Sequence, residues 1–304
     1  MTILVTGVTG KTGRRVVESL VTRGVGVRGL VRDLERGKMA TLGMAIELVL
    51  GDFDDPEAVA EAARGCDGMY LVVADGKDQV RQEVDAARVA VEAGIEHIVK
   101  LSSSDADQRR SYWAVAHSDI EQALAEMNVG YSAVRPNYFM EGFLDLFKVD
   151  SSGNITMEVP IGDGKIGAID PYDIAETSAA LLEGGKPLNG HALLTGTENI
   201  SMNRVADAFA SVTGRKITYV SPDPATYRAE LDIEGSASAG DIADIYEEVR
   251  SGTAEMVSNE VERITGTPAR SIEQFAGANV DAINAAISGA ISGGRNSTNY
   301  DSGC

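Results

Sequence analysis

A glycine-rich turn directly after the first apolar run constrains the fold of this chain more than any other feature. The apolar run is Ile3–Thr6, and the turn reads Gly7-Val8-Thr9-Gly10-Lys11-Thr12-Gly13, with glycine at every third position. The next segment, residues 16–21, places its valines and its leucine on one face of a predicted helix. Strand, glycine turn and helix in this order form the context that a dinucleotide-binding fingerprint requires.

Each glycine has its own task in such a turn. Gly7 permits a tight exit from the strand, Gly10 lets the backbone approach a pyrophosphate, and Gly13 lets helix and strand pack closely. The start of the helix adds unpaired N–H groups and the positive end of its dipole. We therefore predict that the turn binds a nicotinamide dinucleotide; a turn that serves packing alone is the alternative. The predicted contacts are Gly7, Thr9, Gly10, Lys11, Thr12 and Gly13.

Short apolar runs alternate with helical patterns in the first half of the chain. The runs are Ile3–Thr6, Val25–Val31, Ile46–Leu50, Met69–Val73, Ile98–Leu101 and Tyr131–Val134. Runs that are apolar on both flanks are typical of parallel strands covered by helices on both faces of a sheet. Because parallel crossovers are right-handed, the pattern predicts an α/β fold with a doubly wound Rossmann sheet in residues 1–150.

The regular alternation of apolar runs and helical patterns ends after Arg135-Pro136. Asp170 precedes a proline and Ser201 precedes an apolar helical pattern, so each is predicted to be the N-cap of a helix. We predict a smaller C-terminal α+β substrate lobe in residues 151–286, partly interleaved with the Rossmann domain. Residues 287–304 are rich in glycine, serine and asparagine and are predicted to form a disordered tail.

The charge of the chain restricts its partners. The formal net charge is −19 and the pI is about 4.5. Such a surface repels phosphate backbones and anionic lipids, so we expect a small-molecule substrate and neither nucleic acid nor membrane as a partner. Two cysteines give no disulfide framework, and neither a signal peptide nor a membrane span is evident, which favours the cytoplasm. Monomer and homodimer are both compatible with the sequence.

The turns after the second and third strands are expected to bind the adenosine end of the cofactor. Arg32 follows the second apolar run, where a guanidinium can bind the 2′-phosphate of NADP(H) through several hydrogen bonds. A solvated Arg32 is the alternative. Asp33 comes next and keeps NAD(H) possible, because a carboxylate there can bind the ribose hydroxyls. Asp52 and Phe53 follow the third run and are predicted to contact adenine; a loop cap and a core side chain are the alternative.

Ligands of an open α/β sheet lie outside the carboxyl ends of its strands. We therefore expect the residues after the fourth, fifth and sixth runs to contact the cofactor, with the nicotinamide near the last two turns. In the order of their strands, these residues are Val73 and Ala74, Ser102 and Ser103, and Pro136 and Asn137.

Several segments together resemble a known family. They are Val5–Gly10, Leu30–Asp33, Val99–Ser103, Val134–Glu141, Ile169–Ala175, Leu194–Gly196 and Thr265–Phe275. In these segments the chain resembles the atypical short-chain dehydrogenases of the NmrA-like class, over about residues 2–280. The class includes NAD(P)H-dependent quinone reductases, iminium reductases of alkaloid pathways and isoflavone-type reductases. It also includes redox-sensing regulators that bind the dinucleotide without turning it over.

The Tyr-x-x-x-Lys pair of most short-chain dehydrogenases is absent, so the usual tyrosine acid is in doubt. The position four residues after each candidate tyrosine holds no lysine: Ala116 follows Tyr112, Arg135 follows Tyr131 and Gly142 follows Tyr138. We predict His117 as a proton donor near neutral pH or a ribose contact, because relatives carry lysine or histidine four residues before the glutamate at 121. An exposed helical histidine is the alternative. Tyr138, at the exit of the sixth strand, is the second predicted catalytic residue.

These features together predict a reductase rather than a metalloenzyme. The histidines His97, His117 and His191 show no ligand spacing, so no metal site is expected. We predict an NADPH-dependent oxidoreductase that transfers hydride to a small electrophilic compound: a quinone, an iminium ion, an enone or a ketone. The missing Tyr-x-x-x-Lys pair motivates the alternative, an NADP(H)-sensing regulator without turnover.

Overall fold

The computed structural model describes residues 1–233 and 239–291, and its N-terminal half alternates strands with helices. In chain order these elements are β1 (Thr2–Val5), α1 (Lys11–Thr22), β2 (Gly26–Val31), α2 (Leu34–Ala40), β3 (Glu47–Leu50), α3 (Pro56–Ala63), β4 (Gly68–Leu71), α4 (Gln79–Glu92), β5 (His97–Leu101), α5 (Tyr112–Glu126) and β6 (Gly130–Pro136).

The C-terminal half begins with a short 3-10 segment, Met140–Leu146, and then mixes short strands with helices. Its elements are β7 (Phe147–Val149), β8 (Ile155–Glu158), β9 (Lys165–Ile166), α6 (Pro171–Gly184), β10 (Gly190–Leu194), β11 (Ile200–Ser201), α7 (Met202–Thr213), β12 (Ile217–Val220), α8 (Pro224–Ile233), α9 (Ala239–Arg250), α10 (Glu260–Thr265), α11 (Ile272–Ala278) and α12 (Val280–Ile291).

A seven-stranded sheet forms the centre of the fold, in the order β3-β2-β1-β4-β5-β6-β10. All of its neighbouring strands are parallel. Alternate side chains of β1 show why the runs are apolar on both flanks: Ile3 packs on the side of α1 and α6, and Leu4 packs on the side of α3, α4 and α5. The strand order reverses between β1 and β4, which opens a ligand crevice at the carboxyl edge. The predicted Rossmann fold is confirmed.

The two halves of the chain share the central sheet. Strand β10 pairs with β6 in parallel register, from Gly190 opposite Ser132 to Leu194 opposite Pro136. Helix α6 packs against α1, with Ile174 in the same apolar cluster as Val16. Residues 171–194 therefore belong to the Rossmann layer, although they lie inside the range predicted for the substrate lobe.

The rest of the C-terminal half forms a smaller α+β lobe with its own core. Its sheet has the order β12-β8-β7, and helices α7, α11 and α12 cover it. Phe209 lies at the centre, with its ring centroid 5.9 Å from that of Phe147 and 6.3 Å from that of Phe275.

Two helix starts confirm the caps that the sequence predicts. Asp170 accepts a hydrogen bond from the N–H of Tyr172 at 2.9 Å, and Pro171 occupies the first turn of α6. Ser201 accepts from the N–H of Arg204 at 3.4 Å at the start of α7. Both side chains satisfy backbone donors that the helix itself leaves unpaired.

The end of the chain differs from its prediction. Helix α12 continues to Ile291, because Ala286 and Ile287 pack into the lobe core. The predicted tail at 287–304 therefore begins too early, and its remaining part, 292–304, lies outside the described residues. Within the described ranges, no helix combines the length and the apolar character that crossing a membrane needs.

Candidate functional site

Close backbone contacts shape the glycine turn after β1. Gly7 has a φ of +63°, in the left-handed region that favours glycine, and a Cβ there would lie 2.6 Å from Cγ1 of Val72. The N–H of Gly10 donates to the carbonyl oxygen of Gly7 at 2.8 Å. A Cβ on Gly13 would lie less than 3.0 Å from that same oxygen. Side chains at Gly7 and Gly13 would therefore displace the turn.

The N-terminus of α1 is open to a ligand. Among the described residues, no side chain caps this helix at Gly10, so its first N–H groups are available beside the positive end of the helix dipole. The hydroxyl of Thr12 is buried and has no hydrogen-bond partner in the described part of the chain. These unsatisfied donors fit the pyrophosphate of a dinucleotide.

A cleft of about 690 Å³ lies over this turn. Residues Thr9–Lys11 and the first turn of α1 form one wall, and alanine side chains of α12 form the other. Arg15 binds Glu141 between these walls, so that α1 is joined to the start of the lobe. Among the described residues, the lining does not include His117. The cleft therefore includes predicted phosphate contacts and leaves out the predicted catalytic histidine.

The turn after β2 carries an exposed cation, Arg32, and a carboxylate, Asp33, that is already hydrogen-bonded. Nε of Arg32 lies 3.9 Å from Oδ2 of Asp52, and the Arg32 side chain is 80 % exposed. Asp33 is the N-cap of α2, and its Oδ1 accepts from the N–H groups of Glu35 and Arg36. The carboxylate that would favour NAD(H) is thus engaged by the backbone, whereas the guanidinium can turn to a phosphate.

Asp52 and Phe53 have structural contacts of their own. Asp52 accepts a hydrogen bond from the N–H of Asp54 at 3.0 Å, which makes it a loop cap. Phe53 is partly buried against the core beneath α3 and α4. These are the roles named above as the alternative, and the adenine contact stays a prediction.

A buried ionic network holds Ser102 at the carboxyl end of β5. Its hydroxyl donates to Oε1 of Glu121 on α5. Arg135 of β6 forms a bidentate salt bridge with the same carboxylate, with Nε–Oε1 at 2.9 Å and Nη2–Oε2 at 2.7 Å. Arg135 also binds Asp107, and this contact holds the pKa of the Asp107 carboxyl below its usual range. Because the Ser102 hydroxyl donates its hydrogen to Glu121, it can accept a hydrogen bond that a ligand donates.

The exit of β6 joins the turn at Ser102–Ser104, called the serine turn below, to the C-terminal lobe. Pro136 is buried, and its carbonyl oxygen accepts from the N–H of Ser104 at 3.1 Å. Asn137 donates its backbone N–H to Leu194 at 2.9 Å and its side-chain amide to the carbonyl of Ala254 at 3.4 Å. Ser104 also donates to the side-chain oxygen of Asn137 at 3.4 Å. The structure thus brings the two predicted nicotinamide turns together.

Three further predicted cofactor contacts occupy the same edge. Val73 follows β4, and its N–H donates to Oε1 of Glu83 at 3.2 Å. Ala74 beside it is exposed. Ser103 donates to Oδ1 of Asp105 in the loop before α5. Their contact with a cofactor stays a prediction.

His117 lies in a buried cluster with Lys100 of β5 and Glu83 of α4. Nζ of Lys100 is 2.9 Å from Oε2 of Glu83 and 3.2 Å from Nδ1 of His117, and it also donates to the carbonyl of Leu101. The side chains of Lys100 and Glu83 are 0 % exposed, whereas His117 keeps 6 %. Of these three residues, the histidine alone reaches accessible surface.

The titration of His117 differs from the prediction. Burial lowers the pKa of its imidazole well below the usual value, and the positive charges of Lys100 and Arg135 lower it further. The expectation that this histidine is exposed, or that it titrates near neutral pH, is therefore wrong. At neutral pH the ring is a neutral imidazole with one N–H proton.

Tyr138 is partly buried and packs against the core of the C-terminal lobe. Its ring stacks on Phe143 with 5.1 Å between the centroids. A Cβ on Gly142 would lie 2.7 Å from its hydroxyl oxygen, so the ring fits against bare backbone. The structure thus groups Tyr138 with the lobe and His117 with Lys100. A catalytic role of Tyr138 stays a prediction.

The sequence analysis missed Lys100 and Glu83. Lys100 carried a signal, because a charge inside an apolar strand with both flanks covered needs a buried partner. The sequence signal at Glu83 was weaker, because a glutamate on an amphipathic helix usually faces water. The two lie 17 residues apart on different elements, and the fold alone brings them together.

Comparisons with known proteins place this architecture in a family. The model of the NmrA-like family matches residues 1–279. The (4-alkanoyl-5-oxo-2,5-dihydrofuran-3-yl)methyl phosphate reductase of Streptomyces griseus is 28 % identical over 293 residues, which cover 92 % of this chain and 99 % of the relative.

Two solved structures share the fold. The NADPH-dependent quinone oxidoreductase of Escherichia coli, in complex with NADPH, has a TM-score of 0.77 at 22 % identity and covers 91 % of this chain and 98 % of its own. The triphenylmethane reductase of Citrobacter sp., in complex with NADP(H), also has a TM-score of 0.77, at 21 % identity, and covers 91 % and 99 %. The family model spans the Rossmann sheet, the serine turn and most of the lobe, and the chain belongs to the NmrA-like family.

Proposed function

We propose that this chain is an NADPH-dependent reductase of a small electrophilic organic compound: a quinone, an iminium ion, an enone or a ketone. One observation carries the proposal. The uncapped glycine turn after β1 and the buried His117 cluster beside β5 lie on either side of β4, at the edge where such sheets bind ligands. A dinucleotide on the turn would then have its nicotinamide beside a proton-donating histidine.

The names of the similar proteins support the reductase class. Two are named as reductases, of a dihydrofuranylmethyl phosphate and of triphenylmethane, and the third is named as a quinone oxidoreductase. Their shared chemistry is reduction of an organic acceptor, and their acceptors differ in shape. The proposal for this chain therefore names the class of acceptor and leaves the individual compound to experiment.

In this proposal, the residues of the chain bind and orient the cofactor and protonate the acceptor. Bound NADPH would supply hydride from its nicotinamide. The turn at Gly7–Gly13 and the start of α1 would hold the pyrophosphate, and Arg32 would hold the 2′-phosphate. Ser102 would accept a hydrogen bond from the ribose or carboxamide of the cofactor. His117 would donate its Nε2 proton to the reduced acceptor.

An acceptor panel tests the proposal directly. The purified protein with NADPH is expected to reduce at least one of menadione, malachite green, a cyclic iminium salt and an unsaturated lactone, measured as loss of nicotinamide absorbance. His117→Ala should lower kcat for the unsaturated lactone by roughly 100-fold, the lower end of what a general acid contributes, and for menadione by at least about tenfold, with NADPH affinity close to that of the wild type. His97→Ala is the matched control, because His97 is buried on the same strand as Lys100 but bonds Ser132 at 3.0 Å.

Each negative result has a distinct meaning. Tight NADPH binding without turnover of any acceptor would contradict the reductase and favour the regulator. Full activity of His117→Ala on neutral acceptors would remove this histidine as the donor. Tyr138→Phe removes a hydroxyl and keeps the ring, so unchanged activity of that variant would remove Tyr138 from the chemistry.

Arg32 is expected to set the preference for NADPH over NADH. Arg32→Ala should reduce the ratio of the two affinities by roughly tenfold to a hundredfold, since a charge-assisted hydrogen bond contributes about 1.5–3 kcal/mol. Fluorescence titration of both cofactors into each variant measures the ratio. Arg64→Ala is the control, because Arg64 is an exposed arginine after α3 that pairs with Glu61. An unchanged ratio in Arg32→Ala would show that the 2′-phosphate binds elsewhere.

A further inference from the structure

A neutral His117 cannot act as a proton donor by itself. Lys100 lies against its Nδ1, and an ammonium group has hydrogens and no lone pair. Nδ1 therefore accepts a hydrogen bond, and the single ring proton sits on Nε2, on the other side of the imidazole from Lys100. If Nε2 gave up this proton alone, an imidazolate would remain. A second proton has to reach Nδ1 as the first one leaves.

Lys100 is placed to supply that second proton. Its ammonium has three hydrogens, and the structure offers them the carboxylate of Glu83, the carbonyl of Leu101 and Nδ1 of His117. Glu83 in turn accepts from the N–H of Val73, at the exit of β4. The cluster therefore connects the cofactor edge with the predicted donor, and its lysine is sealed from water.

We propose that Lys100 is the proton source behind His117, in a relay that rests on the proposed reductase function. As a neutral acceptor gains hydride, its oxygen forms a bond to the Nε2 proton and the Nε2–H bond breaks. In the same event an Nζ–H bond of Lys100 breaks and the proton moves to Nδ1. The two electrons gained by the acceptor come from NADPH, which is thereby oxidised to NADP⁺. Lys100 is left as a neutral amine.

The relay resets through the histidine. After the product leaves, water gives a proton to Nε2, and the proton on Nδ1 returns to Lys100. One proton from solvent is consumed for each acceptor reduced, so the reaction balances. The 6 % exposure of His117, against 0 % for Lys100, fits this route of entry.

The charges around His117 explain why the proton is stored on Lys100. Lys100 faces the imidazole from β5, and Arg135 acts on it from β6. Glu83 lies behind Lys100 on α4, while Glu121, on the same helix as His117, is engaged by Arg135. The nearest group is thus a cation, which disfavours an imidazolium and keeps the ring neutral.

Two acceptors of different charge separate proton transfer from hydride transfer. Malachite green is a cation that becomes neutral when it gains hydride, so it needs no proton. Menadione is neutral, and its reduced anion needs one. The ratio of kcat for menadione to kcat for malachite green therefore reports proton delivery. Damage to the fold or to NADPH binding lowers both rates and leaves this ratio unchanged.

The first variant is Lys100→Met combined with Glu83→Gln. Burial raises the pKa of Glu83 and the Lys100 ammonium opposes this, so removing the lysine alone would leave a buried carboxylate without its cation. The glutamine can still accept from Val73. We expect the ratio to fall by at least about tenfold, below the usual general-acid contribution because a reduced quinone is a stable anion.

The second variant, Lys100→Arg, separates a proton source from a positioning group. A guanidinium keeps the charge and the N–H donors but does not release a proton. We expect the ratio to fall in this variant as well. Full retention in Lys100→Arg would mean that Lys100 only fixes the tautomer of His117, and the relay would be overturned.

The remaining outcomes distinguish the relay from the function on which it rests. If the wild type reduces both acceptors and neither variant changes the ratio, the relay is wrong and the reductase stands. If the wild type reduces malachite green but no neutral acceptor of the panel, the relay is also wrong, because no proton is delivered. If the wild type reduces neither acceptor nor any other of the panel, the proposed function itself fails.

Discussion

Replacing Gly13 by alanine is expected to abolish NADPH binding at concentrations that saturate the wild type. The added Cβ would lie less than 3.0 Å from the carbonyl oxygen of Gly7, so α1 and the turn after β1 must move apart. The N–H groups that are proposed to bind the pyrophosphate would move with the helix. We expect a loss of at least about 100-fold in affinity, or ~2.7 kcal/mol, measured by fluorescence titration. Urea unfolding should show a further loss of about 1–3 kcal/mol from overpacking.

Gly277→Ala is the matched control for this substitution. Gly277 lies on the exposed side of α11, and a Cβ there meets no atom within 4 Å among the described residues. Alanine in a helix should stabilise it by up to about 1 kcal/mol and leave cofactor binding unchanged. If Gly13→Ala binds NADPH as tightly as Gly277→Ala does, the pyrophosphate does not lie on this turn.

Replacing Arg135 by methionine should destabilise the fold by about 3–5 kcal/mol, because it leaves the carboxylate of Glu121 buried without its cation. The Arg135 and Glu121 side chains are 6 % and 10 % exposed, so water cannot replace the lost contact. The hydroxyl of Ser102, which donates to the same carboxylate, should lose its fixed orientation. Urea unfolding measures the stability, and kcat with the best acceptor of the panel measures the effect on the site.

Two further variants serve as controls for the loss of stability in Arg135→Met. Arg204→Met removes an arginine that pairs with Glu198 and Glu273 at the surface, and it should cost less than about 1 kcal/mol. Combining Arg135→Met with Glu121→Leu should recover most of the stability, since no buried charge is then left unpaired. A loss in Arg135→Met as small as that in Arg204→Met would show that the network carries little energy.

The central sheet was predictable because most of its strands carry a local signal. The apolar run Ile98–Leu101 differs from β5 by one residue, since helices cover both faces of that strand. The run Tyr131–Val134 ends before β6 does, because the strand continues through Arg135 to Pro136. Arg135 interrupts the apolar run in the sequence, but its ion pair with Glu121 compensates its charge in the interior.

The candidate site was predictable in its glycine turn and much less so around His117. The glycine turn is local, and spacing alone assigns a task to each glycine. The environment of His117 depends on Lys100 and Glu83, which come from two other elements. Burial and the charges of Lys100 and Arg135 lower the pKa of this histidine well below its usual value, which its position on a helix does not indicate. The position of Tyr138 likewise depends on a lobe core whose members are spread over the C-terminal half.

The pairing of β10 with β6 has a consequence for synthesis on the ribosome. Domains fold as units from the N-terminus while the chain emerges at about 5–20 residues per second. Here the sheet lacks its outermost strand until Leu194 has emerged, and α1 lacks the helix that covers Val16 until residues 171–184 have emerged. A nascent chain that ends near residue 150 therefore exposes the edge of β6, which invites pairing with other chains. Chaperones that bind early should meet this protein as an unfinished sheet rather than as a folded first domain.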